Sequence, residues 1–424
     1  MMKNDTRPTA RTHSDAATEA VQRLMGANAV RAALAFAETD HARTVEDQIR
    51  LTEIPAPTFH EHDRGQAFLA ELESLGLSDV KVDATGNVYG VRKGAGRGPT
   101  VFVSAHLDTV FPEGTDTEVR QRNGVLYAPG IADDGRGLAV VLAVLRALNH
   151  ANVQTVGDLW FGATVGEEGL GDLRGVKAFF DENQVDGFIS VEPDAPNRIT
   201  YLATGSHRYR ITFRGPGGHS FGDFGTPSAI HAMGRAIAAI ADLEVPENPK
   251  TTFTVGVVRG GTSINTIAAE AEMMVDIRSD SEPALLALES NLLACVHEAV
   301  SAENARWNQQ GIQVSVELVG NRPAGQQSVD SPAVQNAMAA IRSLGFMPSL
   351  DEPSSTDANV PIHLGVPAVT LGGGGRCGGI HTLQEFYHPE DGHHGVQVVL
   401  LTALAMVGVS EVSEPTLSVS PSRA

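Results

Sequence analysis

A chain of 424 residues is longer than a single hydrophobic core usually organises, so two domains are expected. Apolar residues make up 42%, and no run approaches the roughly eighteen continuous apolar residues of a membrane span, which predicts a soluble protein with no membrane partner. The 51 acidic residues outnumber the 31 basic ones, and a formal charge of −20 argues against nucleic acid as a partner because that needs a basic surface. The start, "MMKNDTRPTARTHSDAATEA", has no apolar core of the export-signal kind and reads as a frayed tail. Cys295 and Cys377 lie far apart and form no disulfide framework, so the expected location is cytoplasmic.

After the tail and a lead-in helix (1–40), strand and helix patterns alternate. Residues 62–75 carry apolar positions at helical spacing, and "VKVDA", "NVYGVRKG" and "TVFVSAH" read as short strands between Gly-rich turns. In "GLAVVLAVLRAL", Leu138, Val141, Leu142 and Leu145 fall on one helical face. Strands follow at "DLWFGATV", "GFISVE" and "RITYLA". This alternation predicts an α/β domain, a central mixed sheet flanked by helices, over 41–206. From 207 the order becomes strand, helix, strand, strand, helix, strand, which is the ferredoxin-like α+β arrangement, complete by 319. The α/β pattern resumes over 320–410 with a helix at "SPAVQNAMAAIRSLG", a strand at "PAVTLGG" and a helix at "GVQVVLLTALAMVG", ahead of a short tail, 411–424. The smaller domain is thus expected to be inserted into the larger.

The residues able to carry chemistry sit at strand ends. In "VFVSAHLDTVFP" an apolar strand ends at His106, with Asp108 two residues on and therefore on the same face. A metal-bound imidazole usually gives its other ring proton to a carboxylate, and Asp108 is placed to accept it. Asp133 and Asp134 occupy a Gly-rich turn before a helix, where an aspartate can cap the helix or bridge two cations. Glu167 and Glu168 follow the strand of "DLWFGATVGEEGLG", two like charges that desolvation and repulsion both penalise unless positive charge holds them. Glu192 ends "GFISVE", and His381 lies in the loop "GGGGRCGGIHTLQEF". The C-terminal ends of strands are where open α/β sheets build their sites. The mixed nitrogen and oxygen set suits two divalent ions sharing a carboxylate, zinc first, with cobalt or manganese as alternatives.

In that order, His-x-Asp, Gly-x-x-Asp, Glu-Glu, a further acid and a C-terminal His, the chain resembles the co-catalytic zinc peptidases and amidohydrolases. That family includes aminoacylase, glutamate carboxypeptidase, tripeptidase T and succinyl-diaminopimelate desuccinylase. The resemblance runs from about residue 45 to 408. It implies that His106 and Glu192 bind one metal, Glu168 and His381 the other, and that Asp133 bridges them. It further implies that Asp108 orients His106, that Glu167 is the general base, and that the Asp133 to Asp134 peptide is cis. In the inserted domain, which the resemblance makes a lid and dimerisation domain, His219 of "GPGGHSFGDFG" would stabilise an oxyanion, commonly in a partner subunit. Asn265 would contact a carbonyl and Arg278 would clamp a substrate carboxylate; from strand alternation alone, Arg278 pairs with Asp276 on the surface. The implied partners are a small peptide or N-acylated amino acid substrate and a second copy in a homodimer. The chain departs from the family at Gly135, where a lysine commonly follows the two aspartates, so no branch is assigned.

Two other classes stand beside this reading. A two-metal phosphoesterase would use similar carboxylates but would want basic residues around the metals, and a binding protein that kept the fold would be expected to have lost a ligand or the base. Cys377 is read as a non-ligand, "SSTDANVP" as a helix start capped by Ser355 or Thr356 with Asp357 lining the cleft as the alternative, and the Gly372 to Gly375 run as unconnected with nucleotide, since no Lys-Ser/Thr follows it.

Overall fold

The computed structural model describes residues 12 to 420. The chain separates into two compact units, one made of the residues up to Tyr201 and from Gln327 onward, the other of Leu202–Gln326.

The first unit is built on an eight-stranded mixed sheet. Its order is Ser78–Val82, Val88–Arg92, Asp158–Thr164, Thr100–His106, Gly187–Glu192, Ala368–Gly372, Arg198–Thr200 and Ser349–Leu350. The four middle strands, from Asp158–Thr164 to Ala368–Gly372, are mutually parallel, so their C-terminal ends share one edge. In register, His106 lies beside Thr164 and Glu192 beside Gly372. Thr100–His106 is buried along its whole length, which explains why it reads as an almost unbroken apolar run. Val101, Val103 and Ala105 join the main core with the buried helices Gly135–His150 and His393–Val407. Phe102 points the other way and stacks on Phe179 at 4.3 Å, within a cluster that includes Tyr89 and Phe188.

The expected N-terminal tail is corrected by the structure from residue 13 onward; its first eleven residues lie outside the described ones. His13–Gly26 is a helix, capped by the Thr12 hydroxyl accepting the Asp15 N–H. Ala17, Ala20, Val21 and Leu24 recur at helical spacing and are buried in the main core. The alanines hid the pattern: small apolar side chains in a Thr/Asp-rich stretch lower its apparent hydropathy without removing its buried stripe. The expected C-terminal tail is docked in the same way as far as it is described, with Leu417 buried and Thr416 accepting from Asn336 at 2.6 Å.

The second unit has the ferredoxin-like topology, with main strands Gly205–Arg214, Thr251–Gly260, Glu270–Ser279 and Gln313–Arg322. They form an antiparallel sheet in which Glu270–Ser279 and Gly205–Arg214 are central. Helices Ala229–Ala241 and Glu282–Arg306 pack on it. Glu282–Arg306 is long and apolar enough to cross a membrane by length and composition. Here it is a core helix: Leu285, Leu288, Leu292, Val296 and Ala299 make a stripe buried with Ile211, Met273 and Ile277 of the sheet.

One buried cation braces the functional edge. Arg64, in the helix His62–Ser74, is wholly buried and donates to the carbonyls of Ile54 (2.9 Å), Leu107 (2.8 Å) and Thr52 (3.2 Å). Leu107 lies between His106 and Asp108, so this guanidinium fixes the main chain on which both sit. Arg64→Met keeps most of the apolar volume but leaves three buried carbonyls without donors. It is expected to cost about 3 kcal/mol, read as a lower urea midpoint; an unchanged midpoint would contradict the assignment.

Candidate metal centre

The parallel strands deliver the predicted residues to one edge. His106 is the last residue of its strand, and Glu192 the last of the neighbouring one. Glu167 and Glu168 follow the turn after Asp158–Thr164, where Gly166 has φ 68°. A side chain at Gly166 would also collide with Arg174, so the turn tolerates only glycine. Asp133 and Asp134 precede the helix Gly135–His150, and the peptide between them is cis. His381 reaches the same place from the loop after Arg376–Gly378, with its own φ at 63°.

Asp133 stands between the two histidines. Its Oδ1 lies 2.9 Å from His106 Nε2, and its Oδ2 lies 3.1 Å from His381 Nε2. His381 Nε2 is also 2.9 Å from Glu168 Oε1, and His106 Nε2 is 3.8 Å from Glu192 Oε2. His106, Asp133 and Glu168, and likewise His106, Asp134 and Glu192, each place one donor atom within 4.8 Å of the others. Donors on one tetrahedral zinc with bonds of about 2.0 Å lie about 3.3 Å apart, so separations of 2.9 to 3.8 Å fit a shared ion. The residues present therefore fit divalent metal. His106 thus lies close to Asp133 and Glu192, and His381 close to Asp133 and Glu168.

The surrounding carboxylates are held by main-chain N–H groups. His106 Nδ1 faces the Asp108 carbonyl at 2.9 Å, so it carries the ring proton and leaves Nε2 turned toward Asp133. The Asp108 carboxylate is farther from that nitrogen, at 3.6 Å. Its oxygens accept the N–H of Glu167 (2.9 Å), the N–H of Glu168 (3.0 Å) and the Thr58 hydroxyl (2.9 Å). Asp134 caps the helix, accepting from Gly137 N–H at 2.8 Å, and also accepts from His106 N–H at 3.1 Å. Thr58 carried no local signal, because its partner lies fifty residues away. Glu385 was equally hidden; its carboxylate accepts three main-chain N–H groups from Gly130, Ala132 and Asp133.

Charge at the centre is unbalanced toward the negative. Burial opposes a charge on His106, yet Glu192, Asp108 and Asp133 override it and hold the imidazole well above its ordinary pKa. Hydrogen bonds to Asp133 and Glu168 push His381 up to about 10. Burial raises the Glu192 carboxyl well above its usual range, with Asp134, Asp133 and Glu167 adding to the effect. Asp133 is moved the other way, its burial outweighed by the two histidines. A site that draws protons onto its histidines and acids in this way is one that divalent cations would stabilise, reversing those shifts.

Three predicted residues belong to the second unit. Gly218–His219 pairs with Thr266–Ile267, and Ser220 N–H donates to the Asn265 carbonyl at 3.0 Å, so His219 and Asn265 share one exposed corner. His219 Nδ1 accepts the N–H of Phe221 (3.2 Å) and of Gly222 (3.1 Å), which leaves the ring proton on Nε2. Arg278 is not with them. It lies toward the far end of the strand Glu270–Ser279, roughly 27 Å from Glu270 by strand rise. There its Nε donates to Asp276 at 2.7 Å. Cys377 is half-buried with its thiol pushed up to about 11 by burial, and Asp357 is buried and accepts from Thr164.

Comparison with known proteins agrees with this geometry. Residues 102–405 match the model of peptidase family M20/M25/M40. The uncharacterised protein YqjE of Bacillus subtilis is 26% identical over 360 residues, covering 81% of this chain and 92% of that protein. Among solved structures, the aminopeptidase PepT of Bacillus cereus has a TM-score of 0.70 at 22% identity, covering 85% of this chain and 97% of its own. Bacillus subtilis YXEP, described as a dinuclear metal-binding peptidase of family M20, has a TM-score of 0.64 at 18% identity, over 87% of this chain and 99% of its own. With the family model spanning most of the chain, and the strand-edge cluster of histidines and carboxylates within it, the protein belongs to peptidase family M20/M25/M40 and is a hydrolytic enzyme of the metallopeptidase and amidohydrolase kind.

Proposed function

We propose that the protein is a co-catalytic two-metal hydrolase that cleaves an amide bond, whether peptide, N-acyl or N-carbamoyl, in a small substrate bearing a free carboxylate. The observation that carries this reading is the division of Asp133, one oxygen toward His106 and the other toward His381. His106 and Glu192 would hold one ion and Glu168 and His381 the other, with Asp133 shared between them; zinc suits the donors first, cobalt or manganese next. When bound, the ions make a water acidic enough to react at neutral pH and polarise the scissile carbonyl.

The protein's own groups do the rest. Glu167 takes a proton from the attacking water as its oxygen bonds the carbonyl carbon, then delivers that proton to the departing nitrogen as the C–N bond breaks. Its main chain is held by Asp108, so its position does not depend on its own charge. His219, with its proton on Nε2, donates to the developing oxyanion, and Asn265 contacts the carbonyl. Arg278 exchanges Asp276 for the substrate carboxylate. Arg278 lies toward the far end of its strand from Glu270, so it and the corner of His219 and Asn265 are assigned to different copies of a homodimer that meet through the inserted domain. The outer strand Thr251–Gly260 of that domain, with Val257 and Val258 exposed, offers the edge. Both cysteines are free thiols, in keeping with a cytoplasmic protein.

Hydrolysis of a panel of dipeptides, tripeptides and N-acyl amino acids should require metal and stop with chelator. Turnover of none of them, or turnover untouched by chelator, would contradict the reading. Glu167→Gln should retain its metal while kcat falls about a hundred- to ten-thousand-fold; a normal rate would remove Glu167 as base. Metal uptake should also release protons. His381 is pushed up to about 10 and is therefore protonated at neutral pH, so each ion bound through it displaces a proton. Affinity should rise with pH between 6 and about 9, and calorimetry at pH 7 in buffers of different ionisation enthalpy should report proton release. Binding without proton release would contradict the raised pKa of His381 in the metal-free protein.

A further inference from the structure

Glu385 has no part in the chemistry above, yet it is wholly buried at the centre. Its Oε2 accepts the Gly130 N–H at 3.0 Å, and its Oε1 accepts the N–H of Ala132 at 2.8 Å and of Asp133 at 2.9 Å. Three main-chain donors thus converge on one buried carboxylate. The turn they hold, residues 130–133, carries the Asp133 carboxylate.

The same short loop reaches Asp133 a second time. His381, four residues before Glu385, lies with Nε2 3.1 Å from Asp133 Oδ2. Between the two, Thr382 N–H donates to Gly379 O (3.0 Å) and Glu385 N–H to Thr382 O (3.1 Å), so the loop is a closed turn. Beyond Glu385 the strand Phe386–His388 pairs with Val125–Tyr127, just ahead of Gly130. The loop therefore grips Asp133 by its main chain through Glu385 and meets its side chain through His381. His381 is half-exposed where His106 is buried, and this loop carries it to Asp133 and Glu168.

We propose that Glu385 is a positioning residue that sets the separation of Asp133 from His381, and with it the affinity for the metal ion on the Glu168 and His381 side. The proposal rests on the two-metal reading and adds that the two ions depend unequally on Glu385. Removing an outer partner of this kind typically costs 10- to 100-fold in metal affinity.

The test is titration of the metal-free full chain with Co(II) at pH 8 against a competing chelator, following visible absorption. The wild type should bind two ions in two resolved steps. Glu385→Gln keeps the shape and one acceptor oxygen, and should weaken one step about 10- to 100-fold, with a changed absorption band, while the other step stays within about twofold. Glu385→Ala should weaken the same step further. Glu385→Asp keeps the charge but withdraws it by a methylene, so it should also weaken that step; wild-type behaviour there would show that charge alone matters and overturn the positioning role. It also serves as the readout if the Gln variant does not fold. Arg146→Met removes contacts to Asp40 and Asp47 at the other end of the helix Gly135–His150, and should lower Tm without weakening either step. Unchanged affinities in the Glu385 variants, equal loss in both steps, or a loss reproduced by Arg146→Met would overturn the proposal. A wild type that binds no Co(II) would overturn the two-metal reading itself, and this proposal with it.

Discussion

The Asp133 carboxylate, shared between two histidines, is the contact on which the functional edge of the sheet depends. Six carboxylates, Asp108, Asp133, Asp134, Glu167, Glu168 and Glu192, gather around His106 and His381, a concentration of like charge that burial makes costly. The fold answers part of that cost without metal. Asp108 accepts the main-chain N–H of Glu167 and Glu168, and Asp134 those of His106 and Gly137. Arg64, whose pKa burial lowers to about 10 against the pull of Asp108, Asp134 and Glu385, adds a cation among these acids. Carboxylates tied to the main chain are thus set apart from Asp133 and Glu168, whose oxygens face the histidines.

This division accounts for the paired glutamates after the strand Asp158–Thr164. Both N–H groups of the pair enter one acceptor, Asp108, so the two side chains leave a fixed main chain in a defined way. Glu168 meets His381, and the charge of Glu167 is felt at Glu192. Adjacent residues with one anchored backbone can face different partners, as the proposed roles of Glu168 and Glu167 require.

Much of the fold and of the centre was legible in the sequence, for local reasons. An unbroken apolar run ending in His106 can only be a buried strand, and the order of strands and helices predicts the mixed sheet and the ferredoxin-like unit. The residues gathered at the centre were readable because each ends a strand or lies in the loop that follows one. What stayed hidden has its cause in distance along the chain. Glu385 meets main chain more than 250 residues earlier, Arg64 meets the carbonyl of Leu107, and Thr58 meets Asp108, and no local pattern encodes such contacts. Asp108 was expected to serve His106; its carbonyl and its carboxylate both face that ring, at 2.9 Å and 3.6 Å, and the carboxylate also accepts the N–H groups of the two glutamates. The first helix escaped notice because alanine buries well and reads weakly.

The most direct test is anomalous scattering from crystals of the zinc-loaded protein, collected on either side of the zinc edge. The account predicts two peaks about 3.5 Å apart, one beside His106 and Glu192 and the other beside Glu168 and His381, with Asp133 contacting both. One peak, none, or a pair that Asp133 does not bridge would contradict it.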